Sequence, residues 1–189
     1  MPRPPVLPVV DWPAVFAAGK DFQAWLDAAE NPETAAHMRA DAASLALVEE
    51  AEEYLGELAR DVYVVAFAED WCGDVVRHVP VLERIAQACP RLHVRYLSRA
   101  DRPDVFVRFL TNGGEAIPKF VFLNDAWTEC DNWGPMTCAN RRLIARGKAV
   151  GDVAAARRQV SERYADDGDR GKVFAELLDI VATTASESY

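Results

Sequence analysis

Thiols and imidazoles are scarce in this chain: four cysteines and three histidines in 189 residues. Cys72, Cys89, Cys130 and Cys138 form no C-x2-C pair. Short chains hold zinc through such pairs, and four thiols are too few to staple a disulfide scaffold. No metal and no cofactor are therefore expected. No apolar run reaches the roughly 18–20 residues that span a bilayer. Met1–Val10 carries four prolines and no apolar stretch of signal-peptide type. The expected location is the cytoplasm, where most thiols stay reduced. Positive charge is also in deficit, with 21 Lys and Arg against 30 Asp and Glu, a net charge of −9. That balance argues against general binding to nucleic acid or an anionic membrane. There is no internal repeat and no low-complexity tract.

What is present is a large apolar share, 50% of residues, in a length that suits one domain with additions. Residues 1–13 are proline-rich and read as extended. Helical spacing follows over about 20–29 and 33–60, the second with an interruption allowed. Leu47, Val48, Ala51, Tyr54, Leu55 and Leu58 make one apolar stripe, and the glutamates between them read as a solvated face. Val62–Ala68 is β-branched and aromatic, the pattern of a strand buried on both faces. Helical periodicity returns over 75–89, with Cys89 on the apolar side as a small hydrophobe. Strands are expected at 92–97, 119–123 and 127–133, and a helix at 101–110. Helices should close the chain at about 138–147, 151–165 and 171–184, with a loop at 166–169. The order strand, helix, strand, helix, strand, strand implies a parallel βαβ unit followed by an antiparallel hairpin.

Three features stand at meaningful places in that order. Trp71-Cys72-Gly73 follows the first strand and opens a helix. Pro80 lies eight residues past Cys72 inside that helix. Ile117-Pro118 precedes the third strand, at the end of Asn112-Gly113-Gly114-Glu115-Ala116-Ile117-Pro118. On these residues the stretch 58–150 resembles the thioredoxin superfamily. It is most similar to a bacterial thioredoxin-like subgroup with W-C-G-D in place of W-C-G-P. The resemblance implies a thioredoxin-like α/β fold, a central mixed sheet flanked by helices. Residues 1–57 would be an extended segment and helices packed on the core, and 151–189 a helical extension, in one structural domain. It also implies that Ile117-Pro118 is cis and that Cys72 is the reactive thiol. Trp71 would cover the sulfur, and Trp71, Gly73, Ile117 and Pro118 would bind substrate.

Physical chemistry supports those roles independently. A cysteine at a helix N-terminus faces partly positive N–H groups, which favour the attacking thiolate. Gly73 lets a partner backbone approach. The Ile117 backbone offers a short edge for an extended peptide.

The chain also departs from the family pattern. The second motif cysteine is replaced by Val75, and the acid that thioredoxins bury behind the motif is Ala66. Asp70 and Asp74, with Glu69, crowd Cys72 and oppose thiolate formation. Asp74 can alternatively serve only to stabilise the first helical turn. Cys138 follows Trp133-Gly134-Pro135 and is a candidate resolving thiol from outside the motif. A Cys130–Cys138 bridge is a further option, although Cys130 reads first as a packed strand residue. His78, about one and a half turns past Cys72, reads as an exposed helix residue rather than a base for Cys72. Trp12, Trp25, Trp127 and Trp133 read as packing residues.

Two functions fit. One is limited thiol-disulfide exchange through Cys72 with a protein or small thiol, resolved by an external thiol or by Cys138. The other is a non-redox interaction module on the same fold.

Overall fold

The computed structural model describes residues 9–165 and 168–186. The expectations for residues 1–8 and 166–167 lie outside the described residues. Four strands form one sheet: β1 (Val62–Phe67), β2 (Leu92–Leu97), β3 (Lys119–Leu123) and β4 (Glu129–Trp133), in the order β2-β1-β3-β4. β1 and β2 are parallel, Val62 opposite Leu92 and Phe67 opposite Leu97. β1–β3 and β3–β4 are antiparallel. This is the mixed sheet expected from the sequence. The β-branched run of β1 sits at its centre, with Val62, Val64, Val65, Ala66 and Phe67 all buried. A central strand is covered on both faces, so period-two alternation disappears.

Nine α-helices surround the sheet within the described residues: α1 (Trp12–Ala18), α2 (Phe22–Asp27), α3 (Pro32–Ser44), α4 (Glu49–Gly56), α5 (Gly73–Ala88), α6 (Pro103–Phe106), α7 (Cys138–Ala149), α8 (Val153–Tyr164) and α9 (Gly168–Ala185). α1 begins inside the stretch read as extended. Asp11 accepts from the Ala14 N–H, and Pro13 occupies the first turn, where its missing N–H costs nothing. The stretch 33–60 splits, because Leu45–Val48 is non-helical. Of its apolar stripe only Leu55 is fully buried, while Val48 and Tyr54 face solvent. The helix read over 101–110 is the short α6 plus a 3-10 turn, Val107–Phe109. Gly168 and Asp169, read as loop, open α9.

β4 begins at Glu129 rather than at Trp127. Trp127 has φ +61°, in a turn where Asn124 Oδ1 accepts from the Ala126 and Thr128 N–H groups. Its ring stacks on Tyr63 with centroids 4.0 Å apart, so it does pack. The apolar face of α5, Val75, Val79, Leu82 and Ile85, is wholly buried. α3 and α9 both pack on α5, and α9 also reaches β1, β3 and β4. A single core cluster runs from Trp12 and Val15 of α1 to Val173, Leu177 and Val181 of α9. Among the described residues no helix is long and apolar enough to cross a membrane.

Candidate functional site

Cys72 is the N-cap residue of α5, at the carboxyl end of β1, and is half-buried. The sharp change from strand to helix brings its Sγ within 3.6 Å of the Ile117 carbonyl oxygen, to which the thiol donates. The Ile117–Pro118 and Gly134–Pro135 peptide bonds are both cis. Gly134, at φ +121°, packs so closely that a Cβ there would lie 2.0 Å from the Pro118 carbonyl oxygen. The motif loop, the Pro118 loop and the turn after β4 thus meet at one end of the sheet.

Burial is the main influence on Cys72 and pushes its thiol pKa up. The N–H groups of Val75 and Asp74 pull it down, while the charges of Asp74 and Glu69 add to the rise. The net direction is upward: at this helix N-terminus, desolvation and two carboxylates outweigh the backbone dipoles. Asp70 does a different job. Its Oδ2 accepts from the Glu30 N–H at 2.7 Å and the Asn31 N–H at 3.3 Å, tying the entry of α3 to the motif.

Trp71 is 60% exposed. The Arg99 guanidinium lies 5.6 Å from its ring centroid and also donates to Glu69 Oε1 at 3.1 Å. Among the described residues three clefts border this indole, one of them, about 710 Å³, running along the start of α3. A cleft of about 540 Å³ holds Cys72 and Ile117, with Asp74, Arg99, Arg141, Lys148, Arg157 and Tyr164 around it. A larger one, about 770 Å³, lies beyond Trp71 against Trp25 and Tyr96 and does not include Cys72.

Behind the thiol runs a polar chain that the sequence did not disclose. Tyr164 donates its hydroxyl proton to Asp74 Oδ1 at 2.8 Å. His78 Nε2 lies 3.2 Å from the same hydroxyl oxygen. Tyr164 has one proton to give, so the imidazole donates from Nε2, and its Nδ1 is left buried without a partner. His78 is 0% exposed, which corrects its reading as a surface residue. The α8 and α9 helices cover that side of α5, and ring contacts with Trp133 and Tyr164 enclose it. Burial, reinforced by Arg77 and Arg170, pushes its pKa down to about 3, so it is neutral at physiological pH. It contacts Tyr164 rather than Cys72.

The other thiols separate by place. Cys89 is buried as expected. Cys130 is exposed, contrary to its reading as packed, because β4 is the sheet edge and only Trp133 of that strand turns inward. Cys138 opens α7 and lines a neighbouring pocket with Lys119, Arg141 and Arg142, separate from the Cys72 cleft. Its backbone N–H donates to Glu176. All four cysteines are free thiols.

Lys119, next to Pro118, is buried. Its Nζ donates to Thr111 Oγ1 and the Gly134 carbonyl, and burial, with Arg141 adding, lowers its pKa to about 8. Arg99, Arg141 and Tyr164 come from segments with no recognisable motif, so spacing alone had no means of finding them, whereas Lys119 directly follows the Ile117-Pro118 stretch and its place there was the available signal. Among the described residues no cluster of His, Cys, Asp or Glu could hold a metal.

A family model described as thioredoxin matches residues 19–148. A solved protein of unknown function from Pseudomonas aeruginosa superposes with a TM-score of 0.71 at 16% identity, covering 92% of this chain and 98% of that one. An HIV epitope-scaffold superposes with a TM-score of 0.67 at 19% identity, with the same two coverages. These two likenesses concern the fold alone. No curated protein matches the chain.

Proposed function

The chain belongs to the thioredoxin family, and from that membership we propose that it carries out limited thiol-disulfide exchange through one motif cysteine, Cys72. The observation that carries the reading is the position of the Cys72 sulfur: capping α5, 3.6 Å from the Ile117 carbonyl oxygen, and opening into a cleft. In this reading the Cys72 thiolate attacks one sulfur of a disulfide, forms a mixed disulfide and expels the other half as thiolate. A second thiolate then attacks the mixed disulfide, forms a new disulfide with the bound half and returns Cys72 as thiolate. No redox equivalent is lost, and the second thiol comes from solution because Val75 fills the resolving position.

Trp71, Gly73, Ile117 and Pro118 border the incoming disulfide. Cys138 is the alternative resolver, but its own pocket adjoins rather than joins the Cys72 cleft, so this reading assigns resolution to the external thiol, and a Cys72–Cys138 bridge is the outcome that would overturn that assignment. We place the chain in the bacterial subgroup with W-C-G-D in the motif, as a cytoplasmic protein of one structural domain whose terminal helices complete the core.

One observation favours a second reading, a non-redox interaction module: the rise in the Cys72 pKa leaves little thiolate at neutral pH. The two readings separate in an assay of model-disulfide reduction with a small thiol as the reductant. The expected result is slow catalysis that Cys72→Ser abolishes. An unchanged rate in Cys72→Ser would leave the interaction module.

A further inference from the structure

We propose that the cleft beside Cys72 selects a low-molecular-weight disulfide or thiol that carries carboxylates; this rests on the exchange reading above. The first observation is a reversal of charge. The chain as a whole is −9, yet residues 138–164, which form α7 and α8, contain seven basic residues against two acidic ones. Three of those seven, Arg141, Lys148 and Arg157, line the Cys72 cleft.

The second observation is what these cations lack. Several arginines elsewhere are matched with carboxylates: Arg39 with Asp27, Arg84 with Glu52, Arg102 with Asp104, Arg170 with Asp41. Among the described residues Arg141 donates to the carbonyls of Gly134 and Met136, at 3.0 and 3.2 Å, and to no carboxylate, so it is held in place without an ion pair. Among the described residues the Lys148 and Arg157 side chains form no ion pair. The two carboxylates in the cleft are otherwise engaged, Asp74 by Tyr164 and Glu115 near Arg99 at 3.7 Å.

The third observation is size and texture. A cleft of about 540 Å³ is in the range of small-ligand sites. Trp71, Ile117, Met136, Ile144 and Val160 supply apolar wall to the same cleft. A molecule with a short apolar stem, a disulfide at one end and carboxylates at the other meets all three. Placing its carboxylates by Arg141, Lys148 and Arg157 leaves its sulfur toward Cys72, and the cationic wall raises its local concentration. The exchange itself is the balanced one described above. The released half leaves as a carboxylate-bearing thiolate, and a second such thiol restores Cys72.

The test is the rate of mixed-disulfide formation at Cys72, read by intact mass and peptide mapping, with three small disulfides. These are anionic dithiodipropionate, neutral hydroxyethyl disulfide and cationic cystamine. The expected result is that the anionic probe reacts about tenfold faster than the neutral one, with the cationic probe slowest. High salt should compress that order, and Lys148→Ala combined with Arg157→Ala should reduce the anionic-to-neutral ratio. Equal rates for the three probes, or a ratio insensitive to both changes, overturns this proposal and leaves the exchange reading standing. An advantage seen only with a long acidic peptide disulfide, absent for dithiodipropionate, reassigns the cleft to a protein partner and overturns it too. No adduct at Cys72 with any probe overturns the exchange reading, and this proposal with it.

Discussion

At the residue scale the account turns on what surrounds one sulfur. Ionised Asp74 raises the Cys72 pKa, so neutralising it must lower that pKa. The Asp74→Asn variant should be alkylated by iodoacetamide faster at neutral pH, with its pH profile displaced to lower pH. A profile that does not move would remove Asp74 from the chemistry. Val75 lies one helical turn past Cys72 on the same face of α5 and is fully buried. Val75→Cys supplies the missing resolving thiol and should raise disulfide-reductase turnover, at a stability cost of about 1 kcal/mol for the lost volume. Urea titration beside the turnover assay checks both parts. Cys72, Gly73 and Pro118 were legible in the sequence because a short motif and fixed spacings carry them. His78 was not: a lone polar residue on a helix reads as exposed, and only the arrival of Tyr164, from 86 residues away, makes its burial affordable. Cys130 was misread for the opposite reason, since an edge strand and an inner strand share one local pattern.

At the element scale α5 carries two buried ionisable groups whose effects oppose. Burial raises the Glu83 pKa to about 7 from an ordinary 4.5, even though Tyr96 donates to it at 2.6 Å. The folded chain therefore holds that proton where the unfolded chain has released it. Its stability contribution is complete below pH 4.5 and is lost as pH rises through about 7. For His78 the pKa is down to about 3 from 6.5, so its contribution is complete above pH 6.5 and is lost as pH falls toward 3. Between pH 4.5 and 6.5 the two slopes, each up to about 1.4 kcal/mol per pH unit, oppose one another. Glu83→Gln keeps an acceptor for Tyr96 and removes one slope. Its stability should rise with pH relative to the parent across that window, measured by urea unfolding at successive pH values. Parallel curves for parent and variant would contradict the assignment. The helix itself was legible from its apolar period, but the charge states within it depend on what covers it, Tyr164 of α8 at His78 and Tyr96 of β2 at Glu83, which periodicity does not encode. α1 escaped notice for a related reason: prolines dominate its approach, and its cap and first-turn proline became meaningful only with Trp12 and Val15 buried.

At the scale of the whole molecule, the terminal helices belong to the same core as the sheet. Val173, Leu177 and Val181 of α9 are fully buried. Side chains like these contribute about 1.5–3 kcal/mol each on burial, together comparable with the roughly 5–15 kcal/mol by which a domain is stable. Truncation after residue 165 should abolish the cooperative unfolding transition, while the full chain should show one transition, coincident by tryptophan fluorescence and circular dichroism. A truncated chain that still melts cooperatively near the parent's temperature would make residues 166–189 an independent addition. The order of strands and helices from β1 to β4 was plain in the sequence, because a parallel βαβ unit followed by a hairpin leaves few topologies. The cleft was not, since its cationic wall belongs to α7 and α8 and reaches Cys72 only through the tertiary fold. The central claim is that Cys72 exchanges as a thiol without a partner in its own chain. It is tested most directly by loading Cys130→Ser protein with Ellman's reagent, mapping the adduct and timing its release. The expected result is a thionitrobenzoate adduct at Cys72 that persists until a second thiol is added, then leaves in step with that addition. Spontaneous release with a Cys72–Cys138 disulfide, or no adduct at Cys72 in the folded protein, would contradict it.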